Sequence, residues 1–185
     1  KGVWVLTPSE AFPEGNALLQ WYTSLEFWVN TRLVPPAEEP RSFKDVLHPR
    51  WQGKMIIAEP TLNSAPYQSF VTLINNKALD WDYVKALGRQ DLKIGRTTAD
   101  MFSLLARGEA HLTPVGAALF ATPVLLAGAP IKPIHPEEGT VVITGGSAII
   151  KNAPHPNAAK VLVNWVATQE GQTIFTRATG MPSIR

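Results

Sequence analysis

The sequence predicts an α/β fold divided between two lobes. Of its 185 residues, 45% are hydrophobic and only 17% are charged, so the chain can bury a substantial core. Extended and helical patterns alternate along the chain, which is typical of α/β or α+β domains. Proline-rich loops at residues 34–40 and 130–136 bracket the middle of the sequence. The two proline-rich loops indicate that one lobe is inserted between two pieces of the other.

A strand followed by a helix is predicted in the first half of the chain. The apolar run at residues 54–58 predicts a short buried strand. Asn63 and Ser64 are favourable N-cap residues, and Pro66 suits a first helical turn. We therefore expect a helix that begins there and runs towards Asn76. Its core-facing side chains are predicted to be Phe70, Val71 and Ile74.

Two further helices are predicted in the middle of the chain. The carboxylate of Asp80 suits a helix N-terminus, and the apolar stripe of that helix comprises Trp81, Val84 and Leu87. Thr97 and Asp100 have the spacing of a capping box, although Asp replaces the usual Glu or Gln. Gly108 matches the C′ position that ends a helix. The buried face of this helix is predicted to comprise Met101, Leu104 and Leu105.

The remaining elements alternate in the same way. Three segments look extended, namely residues 110–113, 131–134 and 140–150. The last has a predicted break at Gly145 and Gly146, and residues 115–127 form an apolar segment that we expect to be buried. Pro156 suits the first position of a long helical region, which Gly171 is expected to split into two helices. The buried stripe of that region is predicted to comprise Val161, Leu162, Trp165 and Val166.

Composition and motifs argue against several classes of function. The net charge is +2 and the basic residues form no cluster, so a nucleic-acid partner has no support. Cysteine is absent, which removes disulfides, thiolate metal sites and cysteine nucleophiles. The common nucleotide, hydrolase and zinc-protease motifs are missing, and no apolar run approaches the roughly 20 residues of a membrane span. We therefore expect no catalytic residue, no cofactor and no metal site. The four histidines lack metal-ligand spacing; they are His48, His111, His135 and His155.

Two turns have the chemistry of an anion site. Residues 59–65 lead from the predicted strand into a helix with short hydroxyl and amide side chains. Arg96, Thr97 and Thr98 follow Gly95 in a second turn that also leads into a helix. A helix N-terminus presents unpaired N–H groups to an anion, and a guanidinium binds carboxylate or phosphate. Each turn alone is more often a simple cap, so only the pair favours a binding site.

The order of several short motifs resembles a known family from about Leu25 onward. Residues 40–54 resemble a "P-x-s-w-x-D-L-x-x-p-x-W-x-G-k" stretch, and residues 105–110 resemble an "l-x-x-G-E-a" helix end. Similar matches follow at residues 136–140, 152–160, 169–172 and 180–185. This order is similar to that of the bacterial extracellular solute-binding proteins of ABC importers. The subgroup is the one that includes ferric-ion, thiamine and phosphonate binders.

The resemblance implies a periplasmic-binding-protein-like, two-lobed α/β fold of type II. Residues 1–34 would hold the end of the first lobe and the outgoing hinge crossing. Residues 35–138 would form the second lobe, and residues 139–185 would hold the return crossing and the C-terminal helices of the first. Family members have a further N-terminal stretch that builds most of the first lobe, and the resemblance implies that it is missing from this chain.

The resemblance also implies a function and a set of ligand-binding residues. The protein would capture a small, anionic solute in the interlobe cleft and deliver it to an ABC permease in the membrane, with no nucleic acid involved. The expected ligand-binding residues are Thr61, Asn63, Ser64, Ala65, Arg96, Thr97, Thr98 and Thr113. Ferric binders use adjacent tyrosines near the stretch that begins at Thr113. The tyrosines here are Tyr22, Tyr67 and Tyr83, so we expect no tyrosinate iron site.

Localisation and assembly follow from the same resemblance. We expect a monomer that is periplasmic or lipid-anchored outside the cell. The chain begins at Lys1 without a signal peptide, which predicts a mature or trimmed chain.

Two alternative functions stay open at this point. The first is the effector-binding domain of a cytoplasmic transcription regulator, which shares this fold and would carry a helix-turn-helix segment. The second is an enzyme on a related scaffold, which would show a nucleophile or an acid–base pair in the cleft. Neither feature is visible in the sequence.

Overall fold

The computed structural model describes residues 17–60 and 64–183. The chain divides into two compact units. The inserted unit is Ser24–Val141, and the terminal unit combines Lys1–Thr23 with Val142–Arg185. The mixed α/β content agrees with the predicted fold class, while the proposed lobe boundaries at residues 34 and 139 stay a prediction.

Six strands and seven α-helices make up the described chain. The strands are β1 (Ala17–Asn30), β2 (Ile56–Ala58), β3 (Lys93–Gly95), β4 (Leu112–Ala117), β5 (Ile131–Ile134) and β6 (Val141–Ala148). The helices are α1 (Phe43–Val46), α2 (Ala65–Asn75), α3 (Trp81–Gly88), α4 (Thr98–Ala106), α5 (Ala118–Leu126), α6 (Pro156–Val166) and α7 (Gln169–Thr179). Short 3-10 turns lie at Pro36–Glu38 and Pro49–Trp51.

Strand β1 organises the sheet of the inserted unit. It pairs antiparallel with β4 on one side and with β5 on the other. Strands β2 and β3 pair in parallel, with Ile57 opposite Ile94. A parallel bridge between Met55 and Leu112 joins β2 to β4. The carboxyl ends of β2 and β3 therefore lie at one edge, which decides where the site can form.

Local capping chemistry explains where the helices of the inserted unit begin. The Asp80 carboxylate accepts the Tyr83 N–H at 2.8 Å, as predicted for the start of α3. The Thr97 hydroxyl accepts the Asp100 N–H at 3.1 Å at the start of α4. In a complete capping box the Asp100 carboxylate would accept the backbone N–H of Thr97. It accepts the N–H of Arg96 instead, so this part of the prediction is wrong. Gly108 ends the helix region with a φ of 82°, a conformation that glycine adopts without strain.

The core of the inserted unit lies between the sheet and α4. A buried cluster comprises Trp28, Ile56, Ala58, Met101, Phe102, Leu105, Ala110, Ala121 and Ile131. Trp28 and Phe102 meet edge to face, with ring centroids 5.2 Å apart. Gly116 of β4 lies against both rings, and its carbonyl accepts the Trp28 indole N–H at 3.1 Å.

The structure corrects three predictions in the inserted unit. Val71 and Ile74 are only half-buried, whereas Ser69 and Leu73 are buried in α2. Trp81 is 63% exposed, so it does not belong to the buried stripe of α3. Residues 115–127 are not one buried segment. They comprise the buried end of β4 and the helix α5, whose later residues are largely exposed.

The terminal unit contains β6, α6 and α7. Strand β6 pairs with β1, and Trp21 of β1 forms an antiparallel bridge to Ser183. The predicted break at Gly145 and Gly146 is wrong, because β6 is continuous through both glycines. A Cβ on Gly145 would meet the Trp21 ring at 2.0 Å, so the glycines allow close packing instead.

Two predictions about the terminal helices are also wrong. The break between α6 and α7 falls at residues 167–168, and Gly171 lies in the first turn of α7. A Cβ there would meet the Trp165 carbonyl oxygen at 2.2 Å. The apolar stripe of α6 contains no buried residue, and Val161 is 70% exposed. Amphipathic spacing indicates which face of a helix is apolar, but the tertiary partner decides whether that face is buried.

No helix in the described part of the chain is long and apolar enough to cross a bilayer.

Candidate functional site

The parallel pairing of β2 and β3 brings the two predicted turns together. Ala58 at the end of β2 lies opposite Gly95 at the end of β3. The pairing extends one residue further, since the N–H of Glu59 donates to the Gly95 carbonyl at 2.9 Å. The turn that leads into α2 and the turn that leads into α4 therefore leave the sheet side by side. This is the edge at which α/β sheets commonly bind ligands.

A cavity of about 300 Å³ opens at this edge. It is lined by Ala58, Glu59, Ser64, Arg96, Thr97, Thr98, Ala99 and Phe120. Four of the residues predicted from the sequence are thus neighbours in space, although the sequence separates Ser64 from Arg96 by more than thirty positions.

The N-terminus of α4 supplies polar donors to the cavity. The Thr97 hydroxyl and the Asp100 carboxylate are already occupied by the backbone N–H groups of Asp100 and Arg96. The first-turn amides of Thr98 and Ala99 have no partner within the helix because no preceding turn supplies a carbonyl. These amides and the helix dipole together favour an anion.

Ser64 behaves unlike an ordinary helix cap. It occupies the N-cap position of α2, with φ −88° and ψ 166°, yet its side chain makes no cap hydrogen bond. Its hydroxyl oxygen is buried and has no hydrogen-bond partner in the described structure. A buried hydroxyl without a partner costs about 1–3 kcal/mol. A solute in the cavity that bonds to Ser64 would remove this cost.

Arg96 supplies the positive charge of the site. Its side chain is exposed, and no salt bridge to it occurs among the described residues. The guanidinium is therefore available to an external anion, which it can bind through two parallel hydrogen bonds.

The other predicted residues are placed differently. Thr113 is fully buried in β4, and its hydroxyl donates to the Val115 carbonyl at 3.1 Å. The structure does not bring it to the cavity. Ala65 directly follows Ser64 in the first turn of α2. Thr61 and Asn63 lie outside the described residues, so their role stays a prediction.

Four lining residues were not among the predicted site residues, namely Ala58, Glu59, Ala99 and Phe120. Phe120 belongs to the first turn of α5 and is 41% exposed, in a segment that the sequence predicted to be buried. Glu59 directly follows the predicted strand of residues 54–58, so its position after a buried strand was an available signal.

A larger groove of about 670 Å³ lies elsewhere in the inserted unit, between α1, the end of α2 and the start of α3. Its three carboxylates all have partners within the protein, and that of Asp82 pairs with Lys85 at 3.0 Å. Asp80 caps α3, and Glu138 accepts the N–H of Phe43 at 3.1 Å. None of the predicted site residues that the structure describes lines this groove.

A buried carboxyl group also lies outside the cavity. Glu26 of β1 is 3% exposed. Its carboxylate lies 2.7 Å from His135 Nδ1 and accepts the Ser24 hydroxyl at 3.0 Å. Burial raises the pKa of Glu26 above its usual value, although Ser24 and His135 oppose this shift. This group affects stability and takes no part in the cavity.

The cavity offers none of the tyrosines that ferric binders use. Tyr67 and Tyr83 belong to α2 and α3 and do not line it, and neither does Tyr22 of β1. In the described part of the chain, no group of His, Asp and Glu side chains could hold a metal ion.

The match to a family profile shows which family the chain belongs to. Residues 13–185 match the profile of the bacterial extracellular solute-binding proteins. A protein of Haemophilus influenzae described as uncharacterized is 29% identical over 157 residues, which is 81% of this chain and 44% of that protein.

The fold of the chain is similar to that of solved binding proteins. The iron-bound HitA of Pseudomonas aeruginosa is 18% identical, with a TM-score of 0.83 over 98% of this chain and 60% of HitA. The periplasmic binding protein AfuA of Actinobacillus pleuropneumoniae, with fructose-6-phosphate bound, is 27% identical. It aligns with a TM-score of 0.69 over 89% of this chain and 52% of AfuA.

The chain therefore spans about half the length of the proteins that it matches. Within that span, the family profile covers nearly all of the sequence and the structural likeness covers both units. The chain belongs to the family of the bacterial extracellular solute-binding proteins.

Proposed function

We propose that this chain contributes to the capture of a small anionic solute, which is held at the cavity of the inserted unit. The observation that carries the proposal is the convergence of Ser64, Arg96, Thr97 and Thr98 at one edge of the sheet. The Arg96 guanidinium and the Ser64 hydroxyl have no partner among the described residues, and together with the first-turn amides of α4 they favour an acceptor-rich ligand. The fructose-6-phosphate bound to AfuA supports a phosphorylated solute.

We propose further that the captured solute passes to an ABC permease. Membership of the family supports this step, as does the likeness to a substrate-binding protein of an ABC transporter from Agrobacterium tumefaciens. The protein would act as a monomer in the periplasm or as a lipid-anchored protein outside the cell. Binding and release would need no covalent chemistry, and the described lining residues include no nucleophile beyond ordinary hydroxyl groups.

The role of Arg96 is tested by an NMR titration of the 185-residue chain with fructose 6-phosphate. Arg96→Ala should weaken binding by about tenfold or more, since a charge-assisted hydrogen bond contributes about 1.5–3 kcal/mol. Arg89→Ala is the matched control, because Arg89 is an exposed arginine at the end of α3 that does not line the cavity. Equal affinities for Arg96→Ala and Arg89→Ala would contradict the proposal.

The permease step needs a measurement in cells. Deleting the gene for the whole protein should reduce uptake of the solute identified by titration, and restoring it should recover uptake. Normal uptake in the deletion strain would show that delivery does not depend on this protein.

A further inference from the structure

Phe120 adds an apolar surface to a cavity that is otherwise suited to an anion. It is the third residue of α5, and its ring lines the same cavity as Arg96 and Ser64. Although most large aromatic side chains of the inserted unit are buried, 41% of Phe120 is exposed. An exposed aromatic ring inside a binding cavity commonly contacts a flat or apolar part of a ligand.

The size of the cavity favours an organic ligand over a bare inorganic ion. Its volume of about 300 Å³ lies at the lower end of the roughly 300–1,000 Å³ that small-molecule sites occupy. An inorganic phosphate at Arg96 would leave the Phe120 ring in contact with water. A compact organic molecule could contact both residues.

The charges of the lining residues limit how many anionic groups the ligand carries. Among the described lining residues, Arg96 is the one cation and Glu59 the one carboxylate. A single anionic group near Arg96 is favoured, and a second one near Glu59 would be repelled. The first-turn amides of α4, the Ser64 hydroxyl and Arg96 together offer more donors than the two oxygens of a carboxylate use, and so suit a phosphate.

From these observations we infer that the cavity selects a compact organic phosphate whose ring packs against Phe120. This inference rests on the proposed function and deepens it. Arg96 and the N-terminus of α4 would bind the phosphate group, while Phe120 would distinguish an organic phosphate from inorganic phosphate.

The test compares three probes by NMR titration of the 185-residue chain, namely phenyl phosphate, inorganic phosphate and benzoate. We expect phenyl phosphate to bind about tenfold more tightly than inorganic phosphate, the size of effect that one aromatic contact supplies. It should also bind more tightly than benzoate, which has the ring but only a carboxylate. In each titration the amide signals of Thr97 and Thr98 should shift.

Variants test whether the Phe120 ring causes the preference for phenyl phosphate over inorganic phosphate. Phe120→Ala and Phe120→Leu should lose the preference for phenyl phosphate while binding inorganic phosphate as before, and Phe120→Leu retains an apolar side chain that supports folding. Leu126→Ala is the control, because Leu126 lies on the same helix, is 85% exposed and does not line the cavity. A preference that survives in both Phe120 variants would overturn the inference and leave the anion site intact. If no probe shifts the α4 amides, the proposed function fails as well.

Discussion

Gly116 is the position where one added methyl group should disturb the core most clearly. A Cβ at this position would lie 2.7 Å from Phe102 Cζ and 2.8 Å from Trp28 Cδ1. Ordinary carbon–carbon contacts are about 3.5–4.0 Å, so both rings would have to move by about 1 Å. Neither has room, since Phe102 is fully buried and Trp28 nearly so.

The cost of Gly116→Ala can be worked out from these contacts. Overpacking a well-packed core costs about 1–3 kcal/mol. Moving Trp28 also strains the 3.1 Å hydrogen bond from its indole N–H to the Gly116 carbonyl, which contributes about 0.5–1.5 kcal/mol. We expect a total loss of about 2–4 kcal/mol. With a urea m-value of about 2 kcal/mol/M, in the middle of the usual range, the unfolding midpoint should fall by about 1–2 M.

Urea unfolding followed by circular dichroism measures this loss, and two variants serve as comparisons. Gly88→Ala at the end of α3 places its Cβ in open space, so it should leave stability unchanged or raise it slightly. Adding Phe102→Leu to Gly116→Ala frees volume beside the new methyl group and should recover part of the loss. The reasoning would be refuted if Gly116→Ala and Gly88→Ala unfolded at the same urea concentration.

Two further predictions concern charge and exposure. The raised pKa of Glu26 means that its contribution to stability is present below the unfolded value of 4.5 and is lost as pH rises through the folded value. The difference in unfolding free energy between Glu26→Gln and the unsubstituted protein should therefore favour the variant more at pH 7 than at pH 4. Urea unfolding at the two pH values measures this difference. The same difference at both pH values would contradict the raised pKa of Glu26. On the apolar face of α6, Leu162→Gln should change stability by less than about 0.5 kcal/mol because Leu162 is 59% exposed. Leu105→Ala in the buried cluster should cost about 2–5 kcal/mol, and equal losses for the two variants would show that α6 is covered.

Caps and turns could be predicted from the sequence because their chemistry is local. Asp80 and Thr97 each accept a hydrogen bond from the N–H group three residues ahead, and four consecutive positions are enough to recognise this arrangement. The two turns that are predicted to bind an anion were recognisable for the same reason. Their adjacency was not, since it depends on the parallel pairing of Ala58 with Gly95.

Burial was harder to predict because it depends on distant parts of the chain. Val161 and Trp81 have the spacing of buried helical residues but are exposed, because nothing in the described structure packs over them. Phe120 was missed because residues 115–127 are apolar apart from Thr122, and such a run does not show which side chain faces a cavity. Gly145 and Gly171 were interpreted as breaks, although both allow close packing. Distinguishing these two roles requires knowledge of the neighbouring residues.

The insertion of one unit into the other has a consequence for how the chain folds. The Ser147 hydroxyl donates a hydrogen bond to the Gln20 side chain, which lies 127 positions earlier in the sequence. These two residues belong to β6 and β1, which are paired strands. Closing a loop of this length in an unfolded chain has a high entropic cost and is slow. If Ser24–Val141 folds first, the antiparallel pairing of β1 with β5 shortens the effective loop between β1 and β6. We therefore expect the inserted unit to acquire protection from hydrogen exchange before the terminal unit, which completes its sheet last.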